Sequence, residues 1–155
     1  MSSRLKDLFI NGKLVPSSNE KFFELTSPYT NEKVAEICET NGVDVDAAVA
    51  AARAAFPAWR DVSPTDRGVF LRKMASLIQD HGEEFAHLEA LSTGKPVSRY
   101  IDSSIAIETF NYLAEAVWTV QGSSSRNTPG HRTVKEPYGV VAAKLISKTE
   151  FPPVL

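Results

Sequence analysis

Cysteine is nearly absent from this sequence, since Cys38 is the single one among 155 residues. One thiol excludes an intramolecular disulfide, and with it the stapled framework of a small secreted domain. An excess of one charge sign is also lacking, because 17 Lys and Arg stand against 19 Asp and Glu. Without a basic surplus there is little to neutralise a phosphate backbone, and we expect no nucleic-acid partner.

Long apolar runs and glycine-rich loops are missing as well. No stretch approaches the roughly 18 consecutive apolar residues of a membrane span, and the N-terminus lacks the apolar centre of a signal peptide. We therefore expect a cytoplasmic protein with no membrane partner. The eight glycines form neither Gly-x-Gly-x-x-Gly nor a P-loop, so their spacing predicts no phosphate site.

Short strands are predicted for the first forty residues. Asn11-Gly12 lies between two apolar runs, and this pair accepts the positive φ angles of a type I′ hairpin. The hairpin strands are expected at 8–10 and 14–15. Two more strands are predicted at 22–25 and 34–38, on either side of a turn at 27–31.

Apolar residues then recur every three or four positions, which is the helical period. The first helix is expected to have Asp44 as its N-cap and to stop at Pro57. The second is expected to have Ser63 as N-cap, Pro64 at its first position and a left-handed Gly82 at its end. Its buried stripe is predicted to consist of Phe70, Leu71, Met74, Leu77 and Ile78.

Two further helices and two strands complete the prediction. A short helix is expected to end at Thr93-Gly94, and a long one to run from about 97 to 120. The long helix is apolar on much of its circumference, which is typical of a buried helix. A polar loop is predicted at 121–130 and a strand at 131–135. The run from Tyr138 to Ala143 has the composition of a buried parallel strand, although its covering layers are not in this sequence.

Catalytic and metal-binding patterns are scarce. His81, His87 and His131 do not repeat at the spacing of metal ligands. Cys38 lies in a predicted strand and is interpreted as a buried structural thiol. The pair Glu83-Glu84 is interpreted as stabilising a helix N-terminus, because neighbouring helical side chains diverge. The residues themselves thus predict no catalytic, cofactor-binding or metal-binding site.

Six segments in order resemble the N-terminal part of the aldehyde dehydrogenase superfamily. Glu89-Ala90-Leu91-Ser92-Thr93-Gly94-Lys95-Pro96 is similar to the family's Glu-x-x-x-x-Gly-Lys-Pro segment, and Lys135-Glu136-Pro137-Tyr138-Gly139-Val140-Val141 to the strand that enters its cofactor site. The other four lie at 8–13, 28–32, 45–56 (followed by Trp59) and 67–73. The resemblance covers about 6–143 and leaves a divergent tail, 144–155. It implies an α/β fold class: residues 1–155 form a single incomplete segment of the cofactor domain and oligomerisation element, with a β-hairpin and short strands, four helices and the start of the parallel sheet.

The resemblance implies oxidation of an aldehyde to a carboxylic acid with NAD or NADP, through a cysteine nucleophile. The family's Pro-Trp-Asn segment is replaced here by 144–150, and its Gly-Gln-x-Cys and Glu-Leu-Gly-Gly segments do not occur. Ser92 stands where some members carry an Asp near an alkali-cation site beside Thr26. No catalytic, cofactor or metal residue is therefore carried over, and the chain alone is expected to be inactive and to bind no cofactor.

Two alternatives stay open beside the inactive segment. In the first alternative, the chain is a non-catalytic interaction protein that joins aldehyde dehydrogenase subunits through its edge strands, as a homo- or hetero-oligomer. In the last alternative, it is a free-standing enzyme that uses other residues. In every case, the long helix and the strand at 138–143 are expected to expose apolar faces.

Overall fold

The computed structural model describes residues 7–124 and 130–143. These residues separate into two compact units. Within the described part, the first unit comprises 7–57, 83–100 and 140–143, and the second comprises 58–82, 101–124 and 130–139.

The predicted N-terminal hairpin is confirmed. Strand β1 (Leu8–Ile10) pairs antiparallel with β2 (Lys13–Val15). Asn11 and Gly12 connect them with φ angles of 53° and 74°. Both angles are positive, as a type I′ turn requires, so the Asn-Gly pair determines the register of the two strands.

A second antiparallel pair forms where two strands were predicted. Strand β3 (Phe22–Thr26) pairs with β4 (Lys33–Cys38), with a register shift between Leu25 and Thr26. The turn between them closes with a hydrogen bond of 2.8 Å from the Asn31 N–H to the Ser27 carbonyl oxygen. The predicted turn at 27–31 is confirmed.

Helix α1 (Gly42–Arg60) differs from its prediction at both ends. Its N-cap is Asn41, whose Oδ1 accepts from the backbone N–H groups of Val43 and Asp44 at 2.8 and 3.2 Å. The prediction of Asp44 as the cap was wrong, because Asn caps equally well and stands one turn earlier. The predicted stop at Pro57 was also wrong: proline removes one hydrogen bond, and less than one turn of helix follows it.

Helix α2 (Pro64–Asp80) begins as predicted and ends differently. Ser63 Oγ accepts from the Asp66 N–H at 3.1 Å, which confirms the cap. The residue that ends the helix is His81, with φ −110° and ψ 13°, and Gly82 does not adopt a positive φ. The prediction for Gly82 was wrong because the next helix begins there, which leaves no room for a left-handed residue.

Helix α3 (Gly82–Thr93) ends as predicted, since Gly94 has a φ of 75°. The long helix was predicted wrongly. A 3₁₀ turn at Val97–Arg99 is followed by Tyr100 in an extended conformation, with ψ 109°, and only then by α4 (Asp102–Ala116). A second 3₁₀ turn, Val117–Thr119, follows α4. The apolar period continued across Tyr100, but the backbone there leaves the helical region.

Two short strands, β5 (Ser123–Ser124) and β6 (Arg132–Thr133), pair antiparallel. The strand predicted at 131–135 is thus present in shorter form. The loop predicted at 121–130 was wrong at Ser123–Ser124, and positions 125–129 lie outside the described residues.

The buried strand predicted at 138–143 was wrong. These residues have no regular structure, and Tyr138 and Val141 are 100% and 74% exposed. A buried parallel strand needs neighbouring strands for its hydrogen bonds and layers on both faces. The described part of the chain supplies neither to this segment.

The core of the described residues is made of small side chains. Its buried apolar residues are Cys38, Ala75, Ala86 and Ala114, and no large side chain is fully buried. The buried stripe predicted for α2 was wrong, since Phe70 is 55% exposed, and the predicted burial of α4 was wrong for Tyr112, at 72%. Periodicity shows which residues share a face, but whether another layer covers that face is a separate matter. Two opposed expectations were stated for α4 and for 138–143: burial, from their apolar composition, was wrong, and the exposure of apolar faces is confirmed.

No helix in the described ranges is long and apolar enough to cross a bilayer.

Candidate functional site

An apolar pocket opens in the first unit between the β3–β4 pair and α3. Its volume is about 270 Å³. Eight of its ten lining residues are apolar or aromatic; the full set is Leu25, Val34, Ala35, Ile37, Phe85, Leu88, Glu89, Leu91, Ser92 and Tyr100. A concave and mostly apolar surface with few polar groups has the composition of a binding or docking site.

The helical wall of the pocket follows from spacing in the sequence. Phe85, Leu88 and Leu91 recur every three residues and so lie along one side of α3. Ala86 is the buried residue of this helix.

The sheet wall follows from the strand register. Leu25 of β3 is paired with Ala35 of β4, and Ile37 lies two residues further along β4. Side chains two apart on one strand, and directly opposite on its neighbour, point to the same face of a sheet. This face therefore presents a continuous apolar patch toward the pocket.

The pocket is open. Phe85, Leu88 and Leu91 are 39%, 43% and 42% exposed. Full burial of such a side chain is worth about 1.5–3 kcal/mol, so covering the remaining two-fifths is worth about 1 kcal/mol for each residue. The pocket wall thus retains several kcal/mol of unused burial energy, available to whatever packs against it.

The polar residues of the pocket do not form a catalytic pair. Ser92 Oγ donates to the Glu89 carbonyl oxygen within the helix, at 3.3 Å. At the edge of the pocket, the Lys95 ammonium lies 5.5 Å from the centroid of the Tyr100 ring. A nucleophile needs a base within hydrogen-bond reach, and the serine hydroxyl is directed at a backbone oxygen.

Cys38 is buried at the end of β4, 8% exposed, as predicted for a structural thiol. It pairs across the ladder with Phe22. Glu83 and Glu84 occupy the first turn of α3, as predicted. Across residues 7–124 and 130–143, no three His, Cys, Asp or Glu side chains cluster as metal ligands would.

The buried carboxylate of Asp44, expected to cap α1, instead joins the β2–β3 loop to that helix. Asp44, 7% exposed, accepts hydrogen bonds from Ser17 Oγ at 2.9 Å, the Ser18 N–H at 3.0 Å and the Asn41 N–H at 3.1 Å. Burial alone raises the pKa of Asp44, but the hydrogen bonds from Ser18, Asn41 and Ser17 outweigh it and hold this pKa below its ordinary value. No local pattern indicated this contact, since Ser17 and Asp44 are 27 positions apart.

In the second unit, Arg67 holds the turn after α1. Its Nη2 donates to the Arg60 carbonyl oxygen at 2.8 Å and its Nε to that of Val62 at 3.1 Å. The guanidinium also lies 5.9 Å from the centroid of the Trp59 ring. These contacts satisfy carbonyl groups that the end of a helix leaves free, so Arg67 has a structural role.

Gly68 allows α2 and α4 to approach closely. A Cβ atom built on this glycine would lie 3.0 Å from the Ala114 carbonyl oxygen. Ala114 is itself only 1% exposed. Gly68 therefore serves the packing of α2 against α4 in this unit.

Solved structures share this arrangement of hairpins and helices. A crystal structure of PnpE in complex with nicotinamide adenine dinucleotide matches with a TM-score of 0.76 and 34% identity, over 81% of this chain and 26% of that one. The NAD⁺ complex of an aldehyde dehydrogenase from Bacillus cereus matches with a TM-score of 0.76 and 35% identity, over 81% and 26%. The fold is thus part of the α/β fold of aldehyde dehydrogenases, and the predicted fold class with four helices is confirmed.

Sequence comparison leads to the same family. The model of the "Aldehyde dehydrogenase family" matches residues 14–147. Aldehyde dehydrogenase 1 of Tanacetum cinerariifolium is 40% identical over 140 residues, which is 86% of this chain and 28% of that protein. NADP/NAD-dependent aldehyde dehydrogenase PuuC of Escherichia coli K12 is 38% identical over 143 residues, 88% and 29%. The chain belongs to the aldehyde dehydrogenase family, and it spans less than a third of the length of these two relatives.

Proposed function

We propose that this chain is the N-terminal scaffold segment of a cytoplasmic enzyme. That enzyme oxidises aldehydes to carboxylic acids with NAD or NADP. The observation that carries the proposal is the family match over residues 14–147. Two relatives support the cofactor class, since PuuC is named as NADP/NAD-dependent and PnpE was solved with the dinucleotide. Residues 1–155 act as a single incomplete segment of that protein.

The segment by itself is catalytically silent in this proposal. The family reaction needs a cysteine nucleophile, and Cys38 is buried at the end of β4, opposite Phe22 in the strand ladder. Its environment is that of an inert thiol, because a reactive thiol is partly exposed and lies in electropositive surroundings. The contribution of this chain is therefore mechanical: its described part provides three antiparallel strand pairs and four helices on which a cofactor domain is completed.

The apolar pocket is the surface on which that completion takes place. Its walls are two-fifths exposed at Phe85, Leu88 and Leu91. The two-stranded β3–β4 sheet is marginal without further layers. In the relatives, roughly seven-tenths of the protein lies outside the matched region. We propose that this remainder of the family fold fills the pocket.

Complementation in two polypeptides tests the proposal. The Bacillus cereus aldehyde dehydrogenase is expressed without the region that matches this chain, either alone or together with the 155-residue chain. NAD(P)H formation over a panel of aldehydes is then followed by absorbance. We expect no turnover from either polypeptide alone and measurable turnover from the pair. Turnover by the 155-residue chain alone would contradict the silent-segment proposal, and a pair that neither associates nor turns over would contradict the scaffold role.

Two matched variants locate the docking surface. Leu88→Asp places a carboxylate in the pocket, whereas His87→Asp places one on the adjacent, exposed position of the same helix. We expect Leu88→Asp to lower the yield of the complex at least tenfold and His87→Asp to leave it within twofold, since burying an unpaired carboxylate costs several kcal/mol. Equal yields for the two variants would show that the pocket is not the docking surface.

A second function is favoured by the strand edges. The β1–β2 and β5–β6 pairs each contain two strands in the described part of the chain. Each pair therefore leaves an outer edge that another strand could join. In this alternative, the chain is a non-catalytic partner that binds complete aldehyde dehydrogenase subunits. Capture of a complete relative by the tagged chain, with no rescue of the truncated one, would favour this alternative over the scaffold role.

A further inference from the structure

We draw no further inference here: the strongest candidate, the groove of the first unit between the β1–β2 hairpin and the alanine face of α1, is lined by Phe9, Ile10, Asn11, Gly12 and four alanines, and nothing in the described residues shows what covers it.

Discussion

The close approach of α2 and α4 predicts an unusual response to a single methyl group. In an exposed helix, Gly→Ala stabilises by about 0.5–1 kcal/mol, because alanine has the better helix propensity. At Gly68 the added Cβ would lie 3.0 Å from the Ala114 carbonyl oxygen, so the α4 backbone at Ala114 has to move by a few tenths of an ångström. Overpacking of this kind costs about 1–3 kcal/mol. We expect Gly68→Ala to destabilise the chain by about 1 kcal/mol in net terms.

Gly82→Ala is the matched control for this experiment. Gly82 begins α3, its φ is not positive, and a Cβ there meets nothing within 4 Å. We expect this variant to be neutral or slightly stabilising, by up to about 0.5 kcal/mol.

Urea unfolding followed by far-UV circular dichroism measures the free energy of unfolding of both variants, and thermal unfolding gives their Tm. A net loss of about 1 kcal/mol corresponds to a fall of about 2–4 °C in Tm for a protein of this size. Amide hydrogen exchange in α2 and α4 compares the local stability of the two variants, even if the whole chain does not unfold cooperatively. If Gly68→Ala stabilised the chain as much as Gly82→Ala does, the helices would not be as close as the structure shows, and the reasoning would be refuted.

Three other substitutions test the polar and turn contacts. The pKa of Asp44 is lowered in the folded chain, so its stabilising contribution is present above the unfolded pKa, near 3.8, and is lost as the pH falls through the lower folded pKa. Asp44→Asn should therefore destabilise the chain at neutral pH and flatten the acid limb of its profile of stability against pH. An unchanged acid limb would count against the contact. Arg67→Lys removes the fork that reaches the carbonyl groups of Arg60 and Val62, and we expect a loss of about 1–2 kcal/mol in urea unfolding, whereas an unaltered midpoint would show that these bonds are dispensable. Gly12→Val forces a β-branched residue to a φ of 74° and should cost about 1–2 kcal/mol, read as faster amide exchange across β1 and β2; unaltered exchange would mean that the turn has another geometry.

Features that depend on a few consecutive residues could be predicted from the sequence. The Asn11-Gly12 turn, the cap at Ser63 and the end of α3 at Gly94 each involve contacts within about one turn of chain. The errors at Asp44 and Gly82 are also local. At the start of α1, Asn41 caps the backbone N–H groups that Asp44 was expected to cap. At the end of α2, α3 begins at Gly82 itself, so this glycine is helical.

The walls of the pocket were partly predictable. One face belongs to the helix that was expected to end at Thr93-Gly94, and the other to the strands predicted at 22–25 and 34–38. That these two faces meet around one cavity depends on the path of the chain between Cys38 and Gly82, and no local pattern determines this.

The sequence by itself determined the family, the first two strand pairs and the positions of the first three helices. These follow from motif order and residue chemistry, which need no coordinates. Tertiary structure alone decided which apolar faces are covered. Phe70 and Tyr112 belong to helical apolar stripes and are still 55% and 72% exposed. The physical reason is that periodicity arises within a single helix, whereas burial requires a second surface, and contacts such as that of Asp44 with Ser17 join positions 27 residues apart.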